Sequence, residues 1–195
     1  MNTHAPTIGD RSYGIIAIRY NPTLTLSSPP PPPTSQTTQT LLIHQKTINH
    51  TLFPPFWTFP KGHAEPIDPS LLATAMREFE EETGLRLSRA AILTFRAAGG
   101  EADEGEGQDE AEAERKFVEV YQNPLRKVGK EVRYWPALLQ DGGGGINVQE
   151  AEVVEARWCG WSEAESLLSF EEARGVLRAL RSALDGKNGG GRGTL

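Results

Sequence analysis

The sequence predicts a mixed α/β layer fold, and three observations carry that prediction. Short runs rich in β-branched and aromatic residues recur along the chain, beginning with Tyr13–Tyr20. One amphipathic, Glu-rich helix interrupts them near residues 69–83. A second helix, with the apolar stripe Ala173, Val176, Leu177, Leu180 and Leu184, follows the last of them. Strands that flank one helix and finish with another pack as layers around a sheet.

The elements follow in order. Tyr13–Tyr20 reads as a buried strand, and Leu41–Lys46 as a second strand. Between them, residues 21–40 are Pro/Ser/Thr-rich and read as a surface excursion, with the block Pro29–Pro33 open to a second reading as a ligand for an SH3-type partner. Phe53–His63 is an aromatic, proline-rich approach to the first helix. Asp68 suits its N-cap, Pro69 its first helical position and Gly84 its left-handed C-cap. Ala91–Ala97 is a further expected strand, and Glu101–Glu114 an acidic solvated loop. Phe117–Gln122 and Val132–Leu139 read as strands around a basic turn holding Arg126, Lys127 and Lys130. Glu155–Trp161 is the last expected strand, and Ser162/Glu165 and Ser169/Glu172 have capping-box spacing.

Composition bounds the function. The 195 residues suit one domain, 1–195, with an ordered core over about 12–185, flexible insertions near 22–40, 98–114 and 141–147, and a disordered tail over 186–195. A net charge of −6 leaves no basic stripe to displace counterions, so general nucleic-acid binding is not expected. An anionic small molecule can still bind if a divalent metal stands between it and the protein. The single cysteine, Cys159, excludes an internal disulfide and a thiolate zinc site. The polar start, Met1–Arg11, lacks the apolar core of a signal peptide, and no run is apolar enough to cross a bilayer. A cytoplasmic protein, with the nucleus also open to it, is the expectation.

The most informative segment is Gly62–Leu85, GHAEPIDPSLLATAMREFEEETGL. At roughly 100° per residue, Glu78, Glu81 and Glu82 share one narrow helix face, beside a face of Leu72, Met76 and Phe79. Such carboxylates repel by about a few tenths of a kcal/mol per exposed pair. Arg77 can relieve part of this by reaching Glu81 one turn on, and a hard divalent cation would relieve the rest.

These residues resemble the Nudix box, G-x5-E-x7-R-E-U-x-E-E-x-G-U, with U a bulky apolar residue. Gly62 matches its first glycine, and Arg77–Leu85 (REFEEETGL) matches its second half at every specified position. Asp68 stands where the pattern has glutamate, with eight residues rather than seven before Arg77. The resemblance implies an α/β/α sandwich with a mixed sheet and a loop–helix–loop motif. It implies that Glu78, Glu81 and Glu82, with the backbone carbonyl of Lys61 and Glu152 from outside the box, bind Mg²⁺ or Mn²⁺, while Arg77 orients a carboxylate. The activity it implies is cleavage of a phosphoanhydride bond. Two readings of the general base stay open, Glu78 or a carboxylate outside the box, for which Glu152 competes with Glu150 and Glu155.

Within the family, Trp57–Pro66 (WTFPKGHAEP) and Lys130–Trp135 (KEVRYW) are similar to segments of the animal and fungal diadenosine tetraphosphate hydrolases. That likeness implies a dinucleoside polyphosphate substrate, with Lys61 and His63 on its phosphates and Arg133 and Tyr134 beside a base. His63 as a loop hydrogen-bonder and Tyr134 as a core residue are the competing readings. Ala156 stands where relatives often carry a second aromatic, so a base platform built on Tyr134 would be one-sided. Diphosphoinositol polyphosphates, met by Arg126, Lys127, Lys130 and Arg133, are the rival substrate class. A catalytically silent binding module is the rival function.

Overall fold

The computed structural model describes residues 7–25, 27–47, 53–95, 117–123, 127–140 and 145–186. The acidic tract at 98–114, the glycine run at 142–144, Arg126 and the tail beyond 186 lie outside those residues. Seven strands form one mixed sheet: β1 (Ile8–Tyr20), β2 (Thr38–Gln45), β3 (Phe56–Thr58), β4 (Lys61–Gly62), β5 (Val118–Gln122), β6 (Gly129–Leu139) and β7 (Val153–Cys159). β1 runs parallel to β6 and antiparallel to β2 and β4, while β2 pairs antiparallel with β3 and β7. Among the described residues three helices cover it: α1 (Leu71–Thr83), α2 (Trp161–Leu167) and α3 (Glu171–Gly186). The expected mixed α/β sandwich is the observed architecture.

Residues alternate between two cores because successive strand side chains point to opposite faces. On one face Ile16, Ile18, Phe117, Val132 and Tyr134 meet Trp161, Val176, Leu177 and Leu180 of α2 and α3. On the other, Tyr13, Ile15, Ala17 and Trp135 meet Leu72, Ala75 and Phe79 of α1. Burial on both faces explains why YGIIAIRY reads as a continuous apolar run.

The sheet parts beside α1, and this opening positions the site. At its C-terminal end β1 pairs with β2 through Ile18–Tyr20. Nearer its start, Tyr13 and Gly14 pair instead with Gly62 and Lys61 of β4. β2 therefore diverges from β1 towards its end at Gln45, and the segment leading into α1 occupies the gap.

Several boundaries depart from the sequence reading. β1 begins at Ile8, because parallel pairing with β6 from Gly129 onward orders the polar GDRS stretch. β2 begins at Thr38, inside the predicted excursion, where the Thr38 hydroxyl accepts the Trp161 indole N–H at 3.1 Å. The excursion is docked: the Tyr20 hydroxyl donates to the Pro31 carbonyl, and Ser35 donates to Asp185 of α3 through its backbone N (2.9 Å) and its hydroxyl (2.7 Å). α1 starts two residues later than predicted, with Ser70 as its N-cap accepting from the Ala73 amide at 3.1 Å. Gly84, at φ 71°, is its left-handed C-cap. A 3₁₀ turn at Arg89–Ala91 and a lone bridge from Ile92 to Ala137 stand in place of the start of the expected strand at Ala91–Ala97, whose last two residues lie outside the description. β7 ends at Cys159 because Trp161 opens α2, and Gly160 caps that helix without a side-chain bond. Neither capping box therefore closes as predicted, since the Ser169 hydroxyl accepts from the Trp57 amide.

Phe79 is fully buried between α1 and the sheet, so Phe79→Ala removes that contact and leaves a cavity. The expected loss is about 3–5 kcal/mol of stability, read as a lower urea midpoint at unchanged slope.

Candidate active site

The site forms where α1, β4 and the end of β2 meet. Glu82, on the last turn of α1, is 1% exposed, and its carboxylate accepts the Lys61 backbone N–H at 2.8 Å. Its other oxygen accepts from the Gln45 amide at 3.2 Å, while the Gln45 carbonyl oxygen accepts from the Lys61 ammonium at 2.7 Å. Gln45 thus bridges a buried carboxylate and a buried ammonium. Burial pushes the Glu82 carboxyl up to about 8, against the opposing pull of Lys61, and Glu78 and Glu152 push it the same way. Burial also lowers Lys61, against the pull of Glu82 and Glu119.

Glu78 lies one turn back, pressed against Gly62. A Cβ added at Gly62 would fall 1.9 Å from the Glu78 carboxyl carbon, so only glycine lets the strand pass so close to that carboxylate. Burial raises Glu78 too, with Arg77 opposing and Glu81 and Glu152 adding to the rise.

Arg77 ties the loop to the helix. It grips Asp68 through Nε (3.1 Å) and Nη2 (3.0 Å), donates to the His63 carbonyl at 2.9 Å, and places Nη1 between Glu78 (3.0 Å) and Glu81 (2.9 Å). Asp68 is held far below the usual carboxylate range, chiefly by Arg77 and by the Glu65 amide. It also accepts from the Thr74 hydroxyl at 2.9 Å, so its carboxylate serves the loop rather than capping α1. The extra residue before Arg77 leaves this grip intact.

The remaining predicted residues divide. Glu152 precedes β7, its carbonyl accepts from the Lys46 amide at 2.7 Å, and its charge is felt at both Glu78 and Glu82. Glu155 instead meets Arg157 on an exposed part of β7, and the Glu150 carbonyl accepts from the Lys46 ammonium. His63 is half-exposed, with Nε2 2.9 Å from Asp10. Lys61 is 7% exposed, so its ammonium lies deeper than a surface phosphate contact requires. Arg133 and Tyr134 cannot both line one nucleotide, because neighbouring strand residues face opposite ways. Arg133 pairs with Glu131 at 2.9 Å, whereas Tyr134 is 1% exposed and donates its hydroxyl to Glu119 at 2.8 Å. Tyr134 is a core residue. The basic run is divided in the same way: Lys130 faces Asp10 at 3.5 Å, away from Arg133.

Phe170, which the sequence reading passed over, takes the exposed position, backed by the partly buried Tyr121. Tyr121 of β5 and Phe170, just before α3, present parallel faces with an interplanar angle of 7° and centroids 6.3 Å apart. Phe170 is 43% exposed and meets Phe56 edge-on at 5.1 Å, and the Lys61 ammonium lies 5.7 Å from the Phe56 ring centre. Glu119, Gln45 and Asp10 were also missed. Each is a lone polar residue in or beside a strand, and only pairing across distant strands reveals its partner.

Residues 33–180 match the NUDIX domain family. The chain belongs to that family and is a pyrophosphohydrolase. It is similar to the asymmetrical bis(5'-nucleosyl)-tetraphosphatase of Rattus norvegicus, 34% identical over 122 residues that cover 63% of this chain and 67% of that one. The Mus musculus protein of the same name is 33% identical over the same coverage. Among solved structures, a C. elegans Ap4A hydrolase binary complex aligns with a TM-score of 0.60 at 19% identity, covering 91% of this chain and 98% of that one. The NUDIX domain of Shewanella oneidensis NrtR complexed with ADP ribose aligns at 0.58 and 13% identity, with 92% and 89% covered. The two structural likenesses concern the fold. Among the described residues no helix is long and apolar enough to cross a membrane.

The raised Glu82 carboxyl makes metal-free stability depend on pH with a definite sign. The folded state binds this proton more tightly than the unfolded state, whose carboxyl titrates near the ordinary glutamate value. Stability from this group is therefore complete at low pH and is lost as pH rises towards 8. Thermal unfolding in EDTA should show the decline between pH 5 and 8, roughly the window these two values span. Glu82→Gln should flatten it, and an equal slope in that variant would refute the assignment.

Proposed function

We propose that this enzyme cleaves a phosphoanhydride bond of a dinucleoside polyphosphate, with diadenosine tetraphosphate as the first substrate to test. One observation carries the reading: a chain of contacts runs from Glu82 through Gln45 and the Lys61 ammonium to Phe56, and on to the ring pair Phe170 and Tyr121, and we take it as the track along which substrate lies. Lys61 lies between the two ends. Carboxylates suit a metal-bound phosphate, and the exposed Phe170 ring, backed by Tyr121, suits a planar base. The names of the rat and mouse relatives support the same substrate class. A diphosphoinositol has no base for the rings, and the basic run that would meet it is split between two faces.

The residues fit Mg²⁺ or Mn²⁺. Among the described residues, no group of three or more His, Cys, Asp or Glu side chains could hold a metal by itself. Mg²⁺ does not require one, since it usually takes one or two carboxylates and completes its shell with water and substrate phosphate. Glu78 and Glu82 are the proposed carboxylates, with Glu81 and the Lys61 carbonyl at the rim. When bound, the metal would polarise phosphoryl oxygens and lower the pKa of a coordinated water.

The protein's own groups supply the rest. Arg77 holds Glu78 and Glu81 in position through Asp68 and the His63 carbonyl, without touching substrate. Glu152 is the proposed proton acceptor, because it stands outside the helix at an exposed position while its charge reaches both inner carboxylates. Glu78, the other reading of the base, is reserved for metal by its contact with Gly62 and Arg77.

A substrate panel tests this directly. Purified protein with Mg²⁺ should split diadenosine tetraphosphate faster than ADP-ribose, capped RNA or a diphosphoinositol, and EDTA should stop it. Preference for the diphosphoinositol would overturn the substrate assignment. Glu82→Gln should abolish turnover with an unchanged circular dichroism spectrum, and wild-type rates in that variant would remove it from the metal site. Phe170→Ala should raise KM for the dinucleotide roughly tenfold, the cost of one lost base stack. Its kcat should stay within about twofold if stacking is equal in ground and transition states.

A further inference from the structure

We propose that Asp10 is a positioning residue that holds His63 and Lys130 along the phosphate track between the acidic helix and the ring pair. The inference rests on the substrate reading above for what occupies the track, and on independent geometry for the role of Asp10.

Asp10 is 5% exposed, on the first turnless stretch of β1 and far from the Nudix box in sequence. Its Oδ1 lies 2.9 Å from His63 Nε2, and its Oδ2 lies 3.5 Å from the Lys130 ammonium and accepts from the Asn123 amide at 3.3 Å. A buried carboxylate is costly unless such partners converge on it. Here they come from three segments: the loop after β4, the start of β6 and the residue after β5.

Register explains the placement. Asp10 stands opposite Lys130 on the parallel neighbour β6, and Lys130 stands opposite Tyr121 on β5. Side chains opposite one another share a face. Asp10, Lys130 and Tyr121 thus form one row across the sheet, ending at the ring that faces Phe170. At the other end, His63 directly follows Gly62, whose backbone presses on the Glu78 carboxylate. The row therefore joins the two ends of the proposed track.

His63 is the member that most needs holding. Its side chain is 54% exposed, and nothing in its own loop orders an exposed imidazole as a fixed 2.9 Å contact to a buried carboxylate does. Asp10 touches no reacting atom, so its effect must pass through His63 and Lys130.

The test uses inorganic tripolyphosphate with Mg²⁺ in calorimetry, beside steady-state kinetics with diadenosine tetraphosphate. Asp10→Ala should weaken tripolyphosphate binding by about tenfold and raise KM in step, with kcat little changed. In a His63→Ala background the same substitution should add less than about threefold, because the His63 contact is already gone and only the longer Lys130 contact is left to lose. Asp10→Asn, whose amide oxygen can still accept from Nε2–H, should recover most of the affinity. Should Asp10→Ala fail to fold, Asp10→Ser, too short to reach His63, takes its place. Wild-type or tighter binding in the short variant overturns the proposal, as do full multiplication with His63→Ala and an absence of tripolyphosphate binding by the wild type. Intact coupling in a protein that splits no dinucleotide would support Asp10 and defeat the substrate reading alone.

Discussion

Glu82 meets the backbone N–H of Lys61 inside the protein, and this contact joins α1 to the sheet. It holds only because β2 diverges from β1 and leaves an opening that β4 fills. A carboxylate in that opening loses most of its water, and burial costs it more than one amide contact returns, as its raised pKa records. Gln45 and the Lys61 ammonium supply further compensation.

Balanced charge runs through the whole site. Arg77 is matched by Asp68, Glu78 and Glu81, and Lys130 and His63 by Asp10. Little uncompensated positive charge is left on the track to attract a bare polyanion. This accords with a net charge of −6 in a protein proposed to bind polyphosphate, since on that proposal the attraction comes largely with the metal. Pairing also fixes rotamers, and fixed groups lose less entropy when a ligand arrives.

The two faces of the sheet have separate duties, although they share every strand. The face under α1 carries the helix whose Glu78 and Glu82 edge reaches the opening. The face under α2 and α3 carries Lys130, Glu119 and Tyr121, with Phe170 reaching over from the helix side. The segment around Gly62 passes between them, which explains why a side chain there is excluded by the Glu78 carboxylate.

The carboxylate face, the Arg77-to-Glu81 reach, the glycine that ends α1 and the mixed layer fold were all legible in the chain, because each depends on spacing within one element or on a contiguous apolar pattern. Local chemistry suffices where partners lie one helical turn apart. The choice of Ser70 over Asp68 as the cap escaped this logic, because Arg77 claims Asp68 only after the loop has folded back. Tyr134 and Tyr121 illustrate the same limit: both are strand tyrosines, and nothing near either one tells which is covered by α3 and which meets Phe170 at the surface. Asp10, 53 residues from His63, had no local signal at all. Those assignments depend on strand register and on which helix covers which face, properties of long-range pairing that no short stretch of sequence contains.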